Sequence, residues 1–79
     1  MRVRAKLFGI LRKKIPHYDP ESGIIVDIKD GATVNDLVAH LGLDQAKMGM
    51  VSMNGRLVKA DQVIDDESLV RIFQPIFGG

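Results

Sequence analysis

The chain has 79 residues, with 11 Lys and Arg against 10 Asp and Glu and a formal net charge of +1. That length makes one small domain, burying only about 60–65% of the surface its unfolded form exposes, which argues against a deep enclosed pocket and a free-standing enzyme. The near-zero balance gives no bulk argument for nucleic acid or a membrane surface, and the absence of cysteine removes disulfides, zinc knuckles and thiol nucleophiles together.

Residues 2–8 alternate Arg2, Arg4 and Lys6 with Val3, Ala5 and Leu7, the period-two pattern of a strand with one buried and one wet face. From Phe8 to Ile15 the apolar residues Phe8, Leu11 and Ile15 recur at helix-like intervals until Pro16 stops the run, which predicts a loop with one helical turn. Asp19-Pro20 and Ser22-Gly23 carry turn chemistry, and the β-branched Ile24, Ile25 and Val26, with Ile28, supply a second strand. The two strands are expected to form a long-looped hairpin.

After the Asp30-Gly31 turn, Thr33 stands at an N-cap position with Asp36 three residues later. Val34, Leu37, Val38 and Leu41 then share one helical face, and Gly42 suits a left-handed C-cap. Met50–Met53 reads as a third strand, Asn54-Gly55 as a two-residue hairpin turn, and Arg56-Leu57-Val58 as a short fourth strand. Past the Asp61–Asp66 loop, Leu69–Phe73 gives a fifth strand that leads into Gln74-Pro75. The order ββαβββ predicts an α+β fold, a β-grasp with a mixed sheet of four to five strands and one main helix packed across it. In that layout the first and last strands are parallel neighbours and the helix makes a right-handed crossover. Residues 1–73 are then the β-grasp domain and residues 74–79 a flexible tail ending in Gly-Gly.

The tail carries the chemical signal. Glycine lacks Cβ, so Gly78 and Gly79 can thread a narrow channel and leave the terminal carbonyl carbon open. The carboxylate becomes reactive once an ATP-using partner turns its oxygen into a leaving group; the bland reading of the same glycines is a frayed terminus. Six residues from Gln74 to Gly79 extend about 20 Å, and Pro75 restricts its own φ while pushing Gln74 towards extended conformations. The remaining apolar runs fall far short of the ~20 residues that span a bilayer, and Met1-Arg2-Val3-Arg4 lacks a signal-peptide core, so a cytoplasmic protein with no membrane partner is expected.

Four segments together resemble one family: Lys6-Leu7-Phe8-Gly9-Ile10-Leu11-Arg12, Gly31-Ala32-Thr33-Val34-Asn35-Asp36-Leu37, Met53-Asn54-Gly55-Arg56 and Gly78-Gly79. The chain resembles the MoaD/ThiS ubiquitin-like sulfur carriers over nearly its whole length, and its opening and length are most similar to the small subunit of molybdopterin synthase. The resemblance implies that an E1-like enzyme adenylates the Gly79 carboxylate and that a sulfur donor protein converts it to a thiocarboxylate. A synthase subunit, the large subunit of molybdopterin synthase or its equivalent, then receives the sulfur. The carrier itself binds no cofactor; ATP is used by the activating partner. Gln74, Pro75, Ile76, Phe77 and Gly78 are the expected partner-binding residues, and Gly79 the site of chemistry. Alternatives are a carrier for thiamine or another sulfur-containing metabolite, a protein modifier joined through Gly79 to lysines, and a non-covalent β-grasp binding module. Three departures from the family stand out: Asp66-Glu67 in place of a common Gly-Asp turn, Gln74-Pro75 in place of a double proline, and bulky Phe77 before the glycines.

Other residues offer less. Arg2, Arg4 and Lys6, with Arg12, Lys13 and Lys14 nearby, form either a docking patch for an acidic partner or a solvated face. His17 and His40 have no second ligand at metal spacing, and the six earlier glycines show no phosphate-cradling pattern. Met48, Met50 and Met53 suit core packing or an adaptable interface. Four aromatics, Phe8, Tyr18, Phe73 and Phe77, give few platforms for stacking nucleic-acid bases.

Overall fold

A computed structural model describes residues 1–75. Its strands are β1 (Arg2–Leu7), β2 (Ile24–Asp27), β3 (Val51–Met53), β4 (Arg56–Val58) and β5 (Leu69–Ile72), with the helix α1 (Val34–His40) between β2 and β3. They form one mixed sheet in the order β2-β1-β5-β3-β4, in which β1 and β5 are parallel and every other neighbour is antiparallel. This is the expected β-grasp with five strands. The alternation of β1 sends Val3, Ala5 and Leu7 into the core, where they meet Val70 and Ile72 of β5, Val51 and Met53 of β3, and the α1 stripe Val34, Leu37 and Val38. Each large side chain buried there contributes about 1.5–3 kcal/mol.

α1 is held at both ends. Thr33 and Asp36 form a capping box: the Asp36 N–H donates to Thr33 Oγ1 at 3.3 Å, and the Thr33 N–H donates to Asp36 Oδ2 at 2.9 Å. The two remaining early donors, Val34 N–H and Asn35 N–H, reach the carbonyls of Gln62 and Ala60 at 3.0 and 2.9 Å, so the loop before β5 is tied to the start of the helix. At the other end the Gly42 N–H bonds the Ala39 carbonyl and the Leu43 N–H bonds the Val38 carbonyl, with Gly42 at φ +75°. That is the 5→2 and 6→1 pair of a Schellman ending, which needs a residue that tolerates the left-handed region.

Asn54 and Gly55 both have positive φ, as a two-residue hairpin requires, and Asn54 also clamps the start of β5 through Leu69 N–H to its Oδ1 at 2.9 Å. The Asp66-Glu67 turn places Glu67 at φ +59° without glycine; Asp66 Oδ1 accepts from the N–H groups of Arg2 and Glu67, both at 3.0 Å. Two details differ from the sequence reading. The segment after β1 is a 3₁₀ helix over Gly9–Lys14 with only Leu11 buried. The strands expected at 2–8, 50–53 and 69–73 are each one residue shorter, because Phe8, Met50 and Phe73 sit where the sheet gives way to loops. Tyr18 pins the long β1–β2 connection by accepting from the Leu7 N–H at 2.7 Å.

Candidate functional site

The tail is rooted at the centre of the sheet. β5 lies between β1 and β3, and Phe73 prolongs it: the Phe73 N–H donates to the Met50 carbonyl at 3.0 Å, and the Phe73 carbonyl accepts from Gly49 N–H at 2.7 Å. On the β1 side the Phe8 N–H donates to the Ile72 carbonyl at 3.1 Å. The Phe8 and Phe73 rings, brought side by side by the parallel register, stack with centroids 4.6 Å apart and planes 14° from parallel. With Gly9, Gly49, Met50, Gln74 and Pro75 they line an open groove of about 620 Å³.

Gln74 is exposed, and its Oε1 accepts from the Ile10 N–H at 2.8 Å. Pro75 is half-buried at the groove. Ile76, Phe77, Gly78 and Gly79 lie outside the described residues. The sequence reading offered the exposed Met50 only among three methionines suited to core packing or an adaptable interface, and it did not single out the Phe8–Phe73 pair or Gly49 as parts of a site. Their signal was the same period of two, carried one residue further: Phe8 continues the face of Arg4 and Lys6, and Phe73 the face of Leu69 and Arg71.

That outer face, turned away from α1, also carries charge. The register sets Lys6 beside Arg71, Arg71 beside Ser52 and Ser52 beside Leu57. Like charges on neighbouring strands repel, and among the described residues neither Lys6 nor Arg71 forms an ion pair. The rest of the basic strand is partly engaged within the chain: Arg2 meets Asp27 at 3.5 Å in an exposed pair, weak in water, and Arg4 donates to the Ser22 carbonyl. Asp19 is held below its ordinary carboxylate value of 3.8 by bonds from the Glu21 N–H and the Ser22 hydroxyl, with Lys6 adding a lesser attraction. His17 sits in the β1–β2 connection and His40 is exposed on α1; among the described residues no cluster of three or more His, Asp and Glu side chains could hold a metal ion. Met53 is core, Met48 packs against it, and Met50 faces the groove. No helix among the described residues is long and apolar enough to cross a membrane.

The model of the ThiS family matches residues 5–79. Among solved structures, a putative molybdopterin converting factor subunit 1 from Pyrococcus furiosus is similar with a TM-score of 0.70 at 21% identity, covering 95% of this chain and 98% of that one. SAMP1 from Haloferax volcanii has a TM-score of 0.68 at 25% identity, with both chains covered in full. A further Haloferax volcanii protein, solved in solution, has a TM-score of 0.76 at 22% identity over 100% of this chain and 87% of its own. No curated protein sequence matches.

Proposed function

Since the chain belongs to the ThiS family of small ubiquitin-like carriers and modifiers, which are not catalysts, we propose that it carries sulfur on Gly79. Residues 1–73 serve as the grip and residues 74–79 as the reactive arm. An E1-like enzyme spends ATP to adenylate the Gly79 carboxylate, with pyrophosphate leaving. Sulfide-level sulfur supplied through a donor protein displaces AMP and yields the thiocarboxylate; on a synthase subunit that sulfur passes to the pterin precursor of molybdopterin, and water returns Gly79 to the carboxylate. The chain supplies the acyl group and no bound cofactor. The observation that carries the reading is the family match running through Gly78-Gly79 on a tail rooted beside an apolar groove.

The same reading implies what the activating enzyme covers. Four residues beyond Pro75 reach about 13–14 Å, so an enzyme that encloses Gly79 lies over the Phe8–Phe73 stack and Met50. Ile76, Phe77 and Gly78 line its channel, and the Lys6–Arg71 pair favours an acidic border on that partner. Small modifier structures with the same fold favour a second reading, in which the activated Gly79 forms an amide with a lysine of a target.

Intact-mass analysis after incubation with candidate E1-like enzymes, ATP and a sulfur source separates them. The carrier gains the mass of one sulfur less one oxygen, whereas the modifier appears in higher-mass conjugates. Deleting Gly79 must abolish either outcome; activity that survives the deletion refutes both.

A further inference from the structure

The ladder between β1 and β5 has a final rung that is not backbone. Arg4 N–H donates to the Ser68 carbonyl and Phe8 N–H to the Ile72 carbonyl, so the register advances equally on both strands. One further step of two residues arrives at Ile10 and Gln74. There the chain has turned away at Gly9, whose φ is +66°, and the Ile10 N–H is met by Gln74 Oε1 at 2.8 Å instead of by a carbonyl.

Two glycines make the space. A Cβ on Gly9 would lie 2.1 Å from Gln74 Oε1, and one on Gly49 would lie 2.5 Å from the Gln74 carbonyl oxygen. Exposed Gln74 is thus closely approached on two sides, at its side chain by Gly9 after β1 and at its backbone by Gly49 before β3.

We propose that Gln74 is the positioning residue of the tail: its amide closes the last rung of the central ladder and fixes the direction in which Pro75 leaves the groove. The hinge of the arm then falls at Pro75, not Gln74. A hydrogen bond does here what ring closure does at a proline, removing conformations the arm would otherwise lose on entering a partner. The consequence for activation rests on the carrier reading; the consequence for the free protein does not.

The test uses the full chain with Gln74→Ala, which removes the acceptor, and Gln74→Glu, which keeps one. In free protein, amide exchange at Ile10 is expected to be about 3- to 10-fold faster in Gln74→Ala than in wild type, the range set by one exposed hydrogen bond, and near wild type in Gln74→Glu. The heteronuclear NOE at Ile76 and Phe77 falls only in the alanine variant. In adenylation with ATP by the cognate E1-like enzyme, KM for the chain rises about 3- to 10-fold in Gln74→Ala, with kcat unchanged, Tm lower by a few degrees and recovery of both KM and Tm in Gln74→Glu. Equal Ile10 exchange and equal NOE in all three proteins overturn the proposal, as does an unchanged KM in a variant whose Ile10 bond is lost. Failure of wild type to be adenylated by any candidate counts against the carrier reading, while the exchange and NOE measurements still decide the role of Gln74.

Discussion

Gly49→Ala isolates the β3 side of the tail root. Gly49 is not among the glycines with positive φ, so an alanine there meets no backbone strain, only the atoms around it. Its Cβ would stand 2.5 Å from the Gln74 carbonyl oxygen, 2.7 Å from the Gln74 carbonyl carbon and 2.9 Å from the Phe73 oxygen. All three are backbone atoms, so no side-chain rotation relieves the contact. Restoring an ordinary 3.4 Å separation from 2.5 Å takes a displacement of about 0.9 Å. A shift of that size carries the Gly49 N–H to Phe73 carbonyl bond from 2.7 Å to about 3.6 Å, beyond hydrogen-bond range, and weakens the neighbouring Phe73 N–H to Met50 bond. At about 0.5–1.5 kcal/mol for each bond, the expected loss is about 1–3 kcal/mol. Urea denaturation reads it as a lower midpoint at unchanged slope, and hydrogen exchange reads it as lost protection at Gly49 and Phe73. Gly31→Ala is the control: nothing lies within 4 Å of its Cβ but its φ is +84°, so it costs about 1–2 kcal/mol through φ alone and leaves those two amides protected. A Gly49→Ala protein within 0.5 kcal/mol of wild type on a ~0.5 kcal/mol surface-substitution scale, with both amides still protected, would refute the argument.

Leu37, fully buried under the sheet, should lose about 2–5 kcal/mol on Leu37→Ala, a large share of the roughly 4–12 kcal/mol available to a domain of this size. Leu37→Asp should leave the chain unfolded by circular dichroism near neutral pH, because the charge has no partner in that core; a cooperative thermal transition in the aspartate variant contradicts this packing. The capping carboxylate of Asp36 is held below 3.8, first by the bond from the Thr33 N–H and further by the Thr33 side chain. Its lowered folded value means that its contribution is complete above the unfolded value of 3.8, and is lost as pH falls through the folded one. The Tm difference between wild type and Asp36→Asn should therefore be constant at higher pH and shrink below about pH 4; a difference that grows on acidification would reverse the assigned sign.

Local physics made most of the fold readable. Alternation in β1, the Thr33–Asp36 box, the Val34–Leu41 stripe with Gly42 after it, and Asn54-Gly55 each depend on residues a few positions apart, and each takes the conformation its chemistry requires. The parallel pairing of β1 and β5 followed from handedness and connection rules, because a single crossover helix leaves few other arrangements. The site was less legible for the same physical reason that the fold was more so. Gln74 meets Ile10 across 64 positions, and Phe8 meets Phe73 only because the parallel register brings the two strand ends level. No periodicity within either segment encodes that meeting. Gly9 and Gly49 looked like ordinary turn residues in sequence, whereas in space each is the missing side chain that lets Gln74 approach. The three Cβ-free or amide-bearing positions are thus one device distributed over three segments, and a change at any one of them is predicted to be felt at the other two. Additivity should fail between them: Gly9→Ala displaces the Gln74 amide and adds φ strain, but in a Gln74→Ala background only the strain remains. The double variant should therefore be more stable than the sum of the single losses by roughly 0.5–1.5 kcal/mol, the worth of the hydrogen bond they share.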